Sequence, residues 1–209
     1  MGRRVATGVS YLISPLALPP LVYGSVLVHV GAPWADVVWG AGVGGVFLGL
    51  VPLAYVGGMW AQGRVASLEI RTRARRTEPF LVALGAGTVA LAAVLSTDMV
   101  GRQLLAALVG CHVLNTALLS LITTRWKISV HCASAAGAVA TLVFVQAHVP
   151  GTLLPTGPGV LAGGIGGVAL VLWARIRTRA HTPLQAVAGT GLGLAPYAEL
   201  LVLAQGVGL

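Results

Sequence analysis

Residues 128–174 read ISVHCASAAGAVATLVFVQAHVPGTLLPTGPGVLAGGIGGVALVLWA, and these 47 residues contain no Asp, Glu, Lys or Arg. An α-helix needs about 20 consecutive apolar residues to span a bilayer, so this stretch is long enough for two spans. The segment PGTLLPTGPG at 150–159 supplies the glycine and proline residues that favour a turn between them. The apolar residues run continuously instead of alternating with polar ones, which indicates helices and not the strands of an outer-membrane barrel. The stretch therefore predicts a helical hairpin in a membrane.

The whole chain is also poor in charged residues and rich in hydrophobic ones. Charged residues make up 9% of its 209 residues, whereas soluble domains carry roughly 25%. The hydrophobic fraction is 56% and the mean hydropathy is +0.90. So few charges cannot cover the surface of a soluble globule, and a disordered chain requires low hydrophobicity. The composition therefore excludes both classes and predicts an integral membrane protein with a single transmembrane domain over residues 1–209.

Further apolar runs lie on both sides of the predicted hairpin. The first of them contains Pro15, Pro19 and Pro20, so it forms either a bent span or a re-entrant segment. The predicted fold class is all-α, a polytopic integral membrane helical bundle with six to seven transmembrane helices. The predicted spans lie at about 10–31, at 37–63, 79–97 and 103–124, twice within 128–174, and at 183–209.

The basic residues are concentrated on one side of this predicted bundle. With seven spans, the N-terminus and the loops near 62–78, 123–127 and 174–182 face one side, and Arg102 alone lies on the other. Cytoplasmic loops are enriched in Lys and Arg, so these segments are predicted to be cytoplasmic, in a membrane of the bacterial inner or plasma-membrane type. Topology and acidic lipid headgroups account for the net charge of +8, so nucleic acid is excluded as a partner. The basic residues on the predicted cytoplasmic side are Arg3, Arg4, Arg64, Arg71, Arg73, Arg75, Arg76, Arg125, Lys127, Arg175, Arg177 and Arg179.

Three segments rich in basic and polar residues lie at the predicted membrane boundaries on this side. They are RRTEP at 75–79, WKISVH at 126–131 and ARIRTRAHTPLQ at 174–185. Two predicted spans separate each segment from the next, and an even number of spans returns the chain to the same face of the membrane. His131, His181 and several arginines are therefore expected to converge at one interface.

The last two segments resemble motifs of the type-2 phosphatidic acid phosphatase superfamily. Arg175, five further residues and then His181 are similar to its R-x5-H-x3-D motif, and the Ser-Val-His triplet that ends at His131 resembles its P-S-G-H motif. The resemblance covers roughly residues 64–195, which form the predicted phosphatase-like core. It implies a lipid phosphatase that requires neither a metal nor a cofactor.

The chain departs from the family's pattern at several positions. The family's first motif is K-x6-R-P. Arg76 matches its arginine, Pro79 is displaced by two residues, and the lysine position falls on Glu69. The proline and glycine of the second motif are replaced by Ile and Val. Gln185 replaces the third-motif aspartate, which normally orients the nucleophilic histidine. These departures indicate a divergent branch of the family.

The resemblance implies a role for each histidine. His181 is the expected nucleophile, which forms a phosphohistidine, and His131 is the expected general acid, which protonates the departing alkoxide. Gln185 lies four residues after His181, on the same helical face, and its amide oxygen is expected to fix the imidazole tautomer. An amide cannot stabilise an imidazolium as a carboxylate would. Glu69 is therefore a further candidate, as an acid that orients His181.

The remaining candidate residues are suited to holding a phosphate. A phosphate monoester carries close to two negative charges at neutral pH, and the guanidinium of arginine presents a planar fork of donors that matches phosphate oxygens. A helix that begins near residue 128 would also favour an anion at its N-terminus. The expected phosphate-binding residues are Arg175, Arg76, Lys127 and Ser129.

These features predict a membrane-embedded phosphatase that hydrolyses a lipid phosphate or an isoprenyl phosphate or pyrophosphate. Its predicted partner is the membrane lipid that it hydrolyses, and the sequence selects neither one lipid nor an oligomeric state. One alternative is a catalytically weak or inactive relative that binds lipid phosphate headgroups, which Gln185 and the altered first motif favour. A second alternative is a small membrane transporter, for which Glu199 is the one acid within the last predicted span.

Several other polar or reactive positions are expected to be structural. His112 and Asn115 share a helical face and predict hydrogen bonding between helices. Glu199 lies about 20 Å along its helix from the third motif, too far to contact a phosphate there. Cys111 and Cys132 fall in apolar runs and are predicted to be small buried side chains, with no disulfide or metal site.

Overall fold

The computed structural model describes residues 2–70, 72–152 and 158–207, and within these ranges the chain is helical and contains no β-strand. A π-helical turn, Gly44–Leu50, joins the α-helices Trp34–Val43 and Val51–Ala61, and a short 3-10 helix, Arg73–Arg75, precedes the α-helix Thr77–Ser96. The α-helices are α1 (Gly2–Leu12), α2 (Leu18–His29), α3 (Trp34–Val43), α4 (Val51–Ala61), α5 (Thr77–Ser96), α6 (Arg102–Arg125), α7 (Val130–His148), α8 (Pro158–Arg177), α9 (Pro183–Gly193) and α10 (Ala195–Val207).

In the described part of the chain, five helical segments are long and apolar enough to cross a membrane. The length and composition of these helices confirm the predicted α-helical membrane fold. The second half of the predicted hairpin coincides with α8, which is 20 residues long. Residues 153–157 of the predicted turn lie outside the described residues, as does Arg71 of the loop at 64–78, which is called the basic loop below. The five segments are Trp34–Ala61, Arg73–Ser96, Arg102–Arg125, Val130–His148 and Pro183–Gln205.

The first apolar run, predicted at about 10–31 as a bent span or a re-entrant segment, is interrupted in the structure. A non-helical segment separates α1 from α2, and α2, which begins at Leu18, is only 12 residues long. A helix of this length rises about 18 Å, well short of the roughly 30 Å hydrocarbon core. Pro15, Pro19 and Pro20 explain the break. The residue before a proline is displaced from the helical region, whereas a proline is tolerated in the first turn of a helix.

The long segment from Trp34 to Ala61 changes its helical form where another part of the chain approaches it. Pro52 has no backbone N–H, and in an α-helix its ring would clash with the carbonyl four residues earlier. The π-helical turn ends two residues before this proline, and such turns are frequent at functional sites. A Cβ on Gly49 would lie 2.9 Å from the carbonyl oxygen of Leu16. Glycine therefore lets the segment before α2 pack directly on the π-helical turn, where both residues line one cavity.

The helix α7 is central to the bundle, since it contacts α2, α8, α9 and α10. Phe144 of α7 packs edge-on against Tyr197 of α10, with a distance of 5.8 Å between ring centroids. A Cβ on Gly193 of α9 would collide with the backbone of α7, and small residues of this kind let membrane helices approach closely. The predicted burial of Cys111 and Cys132 is confirmed, and both are free thiols.

Candidate active site

A cavity of about 900 Å³ lies where the three motif-bearing segments meet. It extends between α3, the π-helical turn, α6 and α7, where its walls are largely apolar. One end of the cavity is instead lined by ionisable side chains that come from separate parts of the chain. The structure thus brings the distant motifs together at a single place. These ionisable residues are Glu69, Arg76, Lys127, His131, Arg175 and His181.

The spacing between Arg175 and His181 corresponds to the end of one helix. α8 ends at Arg177, and Arg179 adopts a left-handed conformation with φ of 56°. A left-handed residue commonly terminates an α-helix, although it is usually glycine. The resulting turn brings the backbone N–H groups of Ala180 and His181 to the carbonyl oxygen of Arg175, at 3.1 and 3.4 Å. His181 is thereby folded back towards Arg175, and both residues are buried.

The segment that follows His181 begins α9 with a capping box. The hydroxyl of Thr182 accepts from the backbone N–H of Gln185 at 3.3 Å, and Oε1 of Gln185 accepts from the backbone N–H of Thr182 at 3.2 Å. These reciprocal bonds satisfy donors that a helix start otherwise leaves unpaired. The amide oxygen predicted to fix the His181 tautomer is therefore engaged in starting α9. The pattern T-x-x-Q at 182–185 is the sequence signal for this capping box. The role predicted for Gln185, a contact with the imidazole of His181, did not take this pattern into account.

Ser129 caps α7 and does not line the cavity. Its hydroxyl accepts from the backbone N–H of Cys132 at 3.3 Å, and the residue is fully buried. An N-cap of this kind stabilises a helix by about 1 kcal/mol. The role of phosphate ligand predicted for Ser129 does not match this geometry, because the residue is fully buried at the helix start and does not line the cavity. His131, two residues later, does line the cavity.

Arg76 and Lys127, two of the three cations predicted to bind phosphate, donate hydrogen bonds to backbone carbonyl oxygens. Nε of Arg76 donates to the carbonyl of Ile70 at 2.9 Å, and its Nη1 donates to the carbonyl of Ile128 at 3.4 Å. Nζ of Lys127 donates to the carbonyl of Ala180 at 3.0 Å. Arg76 thus joins the basic loop to the segment before α7, and Lys127 joins that segment to the turn between α8 and α9. These bonds hold all three motifs around the charged end of the cavity.

Glu69 forms an ion pair with Arg175. Its Oε1 accepts from Nη1 of Arg175 at 2.5 Å, and the two side chains are 25% and 4% exposed. A buried guanidinium requires a partner of opposite charge, because its desolvation is otherwise costly. Glu69 was predicted as an acid that orients His181, and the structure instead places its carboxylate on the arginine of the same motif. The position that corresponds to the lysine of the resembled first motif thus holds an anion, and this anion contacts Arg175, which the sequence predicts to bind phosphate.

The His181 imidazole is neutral at physiological pH. Burial lowers the pKa of His181 from 6.5 to about 3, with further contributions from the positive charges of Lys127, Arg76 and Arg175, while a contact with Gln185 opposes part of this shift. A neutral imidazole has a lone pair available for nucleophilic attack.

Within the described residues, Nδ1 of His181 and Nε of Arg175 are buried and lack a hydrogen-bond partner. Such atoms are uncommon in folded proteins, and a bound anion would supply the acceptor that the Arg175 Nε–H lacks.

The end of α1 forms a wall of the site that the sequence did not predict. Ser10, in the last turn of α1, is buried and lines the cavity together with His131. Tyr11, Ser14 and Leu16 line the cavity next to it. The amphipathic pattern of α1, GRRVATGVSYL, is the sequence signal for this placement, because such helices pack along a bundle or lie at a membrane surface.

A second polar contact joins α6 to α10. Nδ2 of Asn115 donates to both carboxylate oxygens of Glu199, at 3.0 and 2.8 Å, and to the carbonyl of Cys111 at 2.9 Å. The hydrogen bonding between helices predicted for Asn115 is confirmed, but Glu199 was not identified as its partner. The helix break at Leu194, between α9 and α10, changes the position of Glu199 from that expected for one straight helix. Asn115 and His112 also line the apolar part of the cavity.

Comparison of the chain with protein-family models, with curated proteins and with solved structures found no match. Among the residues that the structure describes, no group of three or more His, Cys, Asp or Glu side chains is placed to hold a metal ion. Function is therefore inferred from the cavity and the side chains at its charged end.

Proposed function

We propose that this protein is a membrane-embedded phosphatase that hydrolyses a lipid phosphate or an isoprenyl phosphate or pyrophosphate through a phosphohistidine intermediate. One observation carries the proposal: His181 and His131 line the same cavity as Arg76, Lys127 and Arg175. The residues proposed as nucleophile, as acid and as phosphate-binding cations therefore line the same end of the cavity, which supports the proposal. The apolar walls of the remaining space are suited to a hydrocarbon chain.

In the proposed reaction, the three cations bind the phosphate oxygens and stabilise the negative charge of the transition state. A nitrogen lone pair of His181 attacks phosphorus, and the bond from phosphorus to the leaving oxygen breaks. His131 donates a proton to that oxygen, so the lipid leaves as an alcohol, or as a lipid monophosphate when the substrate is a pyrophosphate. His131 then accepts a proton from water as the water oxygen attacks the phosphohistidine. Inorganic phosphate leaves and His181 is restored.

The proposal includes the arrangement of the protein in its membrane. Six to seven spans would place the N-terminus and the three motif-bearing segments at the cytoplasmic side of a bacterial inner or plasma membrane. The strong bias of Arg and Lys towards those segments supports this orientation. The lipid substrate would enter sideways from the bilayer, with its phosphate at the charged end of the cavity and its chain between α3, α6 and α7.

The proposal is tested by measuring phosphate release from a panel of lipid phosphates and diphosphates, without added metal, in purified protein and in His181→Ala. We expect release by the wild type and a loss of at least about 1,000-fold in the variant, because a missing nucleophile removes the covalent route. Brief incubation with a ³²P-labelled substrate should also trap an acid-labile phosphoprotein in the wild type alone.

The matched control is His148→Ala. His148 is exposed at the end of α7, where its Nε2 lies 3.1 Å from the hydroxyl of Tyr197, and it does not line the cavity. We expect this variant to retain release. Equal release by the wild type and His181→Ala would contradict the proposed nucleophile, and no release from any substrate would contradict the phosphatase function.

A second candidate function is favoured by the position of Gln185. Its amide oxygen serves the capping box of α9, and Glu69 is paired with Arg175. In this candidate the chain binds lipid phosphate headgroups with little or no turnover. Saturable binding of a lipid phosphate, lost in Arg175→Ala, together with no phosphate release, would favour headgroup binding over catalysis.

A further inference from the structure

We infer that Glu69 sets the substrate class of this site, because its ion pair with Arg175 adapts the cavity to a phosphate monoester and disfavours a diphosphate. This inference rests on the proposed phosphatase function and narrows it. Glu69 is thus a specificity-determining residue that acts through Arg175 and through the net charge of the cavity.

The first argument is the balance of charge at the site. Among the described residues, the charged side chains that line the cavity are three cations, Arg76, Lys127 and Arg175, and one anion, Glu69. Three positive charges less one negative charge leave a net charge of +2. A phosphate monoester carries about −1.5 to −2 at neutral pH, which this charge matches. The second phosphoryl group of a diphosphate adds negative charge that the site does not offset while Glu69 is ionised.

The second argument is the division of donors on Arg175. A guanidinium has five N–H donors in a fixed plane. Nη1 is occupied by Glu69, whereas Nε is buried and has no partner among the described residues. A monoester can therefore take the unpartnered Nε–H while the ion pair stays intact. A second phosphoryl group that lay beside Nη1 would compete with the carboxylate for this nitrogen.

The third argument concerns repulsion. The Glu69 side chain is only 25% exposed and that of Arg175 only 4%, so water screens this region weakly. A second phosphoryl group placed at this end of the cavity would bring like charges together in a partly desolvated site. Like-charge contacts of this kind are an effective means of rejecting an alternative ligand.

The test compares Glu69→Gln with the wild type on two substrates that share one lipid chain, a monophosphate and a diphosphate. The glutamine preserves the size of the side chain and removes its charge. We expect the ratio of kcat/KM for the diphosphate to that for the monophosphate to rise at least about tenfold. If the ion pair only holds the loop in place, both substrates should lose activity equally and the ratio should stay constant, which would overturn the inference.

Glu78→Gln is the matched control. Glu78 lies at the start of α5, is exposed, and pairs with Arg64 and Tyr55 outside the cavity. Its substitution removes the same charge from the same side of the protein, and we expect the substrate ratio of the wild type. A similar change of ratio in Glu78→Gln would show a general effect of protein charge and would also overturn the inference.

A second measurement uses only the wild type, so its result does not depend on whether Glu69→Gln folds. Initial rates of monophosphate hydrolysis are measured with inorganic phosphate or with methylene diphosphonate as the inhibitor. We expect inorganic phosphate to inhibit at a lower concentration. Stronger inhibition by the diphosphonate, or faster hydrolysis of the lipid diphosphate by the wild type, would contradict the role of Glu69. A wild type that releases phosphate from no substrate would instead contradict the phosphatase function itself.

Discussion

The backbone N–H of Ser129 donates to the backbone carbonyl oxygen of Gln185 at 3.2 Å. Ser129 caps α7 and Gln185 belongs to the first turn of α9, so this bond joins the starts of the two helices. Two residues after Ser129 comes His131, and four residues before Gln185 comes His181. The bond therefore sets the relative position of the proposed acid and the proposed nucleophile.

Gly189→Ala should disturb this junction. A Cβ on Gly189 would collide with the carbonyl oxygen of Ser129, which is backbone and cannot move aside as a side chain would. Overpacking of this kind costs about 1–3 kcal/mol, and a displacement of about 1 Å near reacting groups can reduce a rate about 100-fold. We expect a lower melting temperature and slower phosphate release. Gly191→Ala is the control, because nothing lies within 4 Å of a Cβ there. Equal behaviour of the two variants would contradict the packing described for α7 and α9.

Arg76→Gln should weaken substrate binding. Arg76 lines the cavity, and its bonds to Ile70 and Ile128 hold the guanidinium in place. Charged hydrogen bonds contribute about 1.5–3 kcal/mol, so we expect kcat/KM for phosphate release to fall roughly 10-fold to 100-fold. The control is Arg75→Gln, since Arg75 is exposed and lies outside the cavity. If Arg75→Gln lost as much activity as Arg76→Gln, the basic loop would act through its overall charge alone.

The stability of the protein should fall in acid because of His181. Its pKa is about 3 in the folded protein and 6.5 in its ordinary state, so protonation favours the unfolded chain. The stabilisation is complete above about pH 6.5 and is lost as the pH falls towards 3. We expect the melting temperature in detergent to fall by roughly 5 °C between about pH 7 and pH 5. His181→Asn should show a clearly smaller fall over the same range. Parallel curves for the two proteins would contradict a buried neutral His181.

The contact between Asn115 and Glu199 should contribute to stability. Asn115→Ala leaves the Glu199 carboxylate without its donor inside the bundle. Hydrogen bonds between membrane helices contribute about 0.6 kcal/mol on average and up to about 1.7 kcal/mol. We expect Asn115→Ala to be destabilising, and Asn115→Ala with Glu199→Ala to be less so than the sum of the single variants. Chemical unfolding in mixed micelles measures this double-mutant cycle. Strictly additive effects would show that the two side chains do not interact energetically.

Composition and hydropathy were sufficient to predict a helical membrane protein, because the scarcity of charge is a property of the whole chain. They do not reveal the break between α1 and α2, which the sequence indicates only through its prolines. Apolar residues from 10 to 31 look like one span, but Pro15, Pro19 and Pro20 interrupt the helix. Hydropathy measures the cost of burial in lipid and is insensitive to the backbone geometry that prolines impose.

The motif spacing located the charged end of the cavity but not the pairing of its residues. Arg175 and His181 can be placed together from sequence, because one helix end connects them. The ion pair of Glu69 with Arg175 depends on where a loop folds over the bundle, and no local pattern encodes that. For Ser129, in contrast, the role found in the structure can be predicted from local sequence. Its N-cap role follows from a local preference of serine, which competes with the phosphate-binding role suggested by the motif.

The proposed orientation predicts that the two ends of α5 lie on opposite sides of the membrane. This helix runs from Thr77 to Ser96 and is 20 residues long, so it rises about 30 Å and can cross the hydrocarbon core. Arg75 lies just before its start, and Arg102 follows its end. In intact cells, we expect a membrane-impermeant maleimide to label Arg102→Cys and not Arg75→Cys, and to label both after the membrane is permeabilised. The wild type is a suitable blank, because Cys111 and Cys132 are buried. Labelling of Arg75→Cys in intact cells would place the basic loop, and with it the charged end of the cavity, on the outer side.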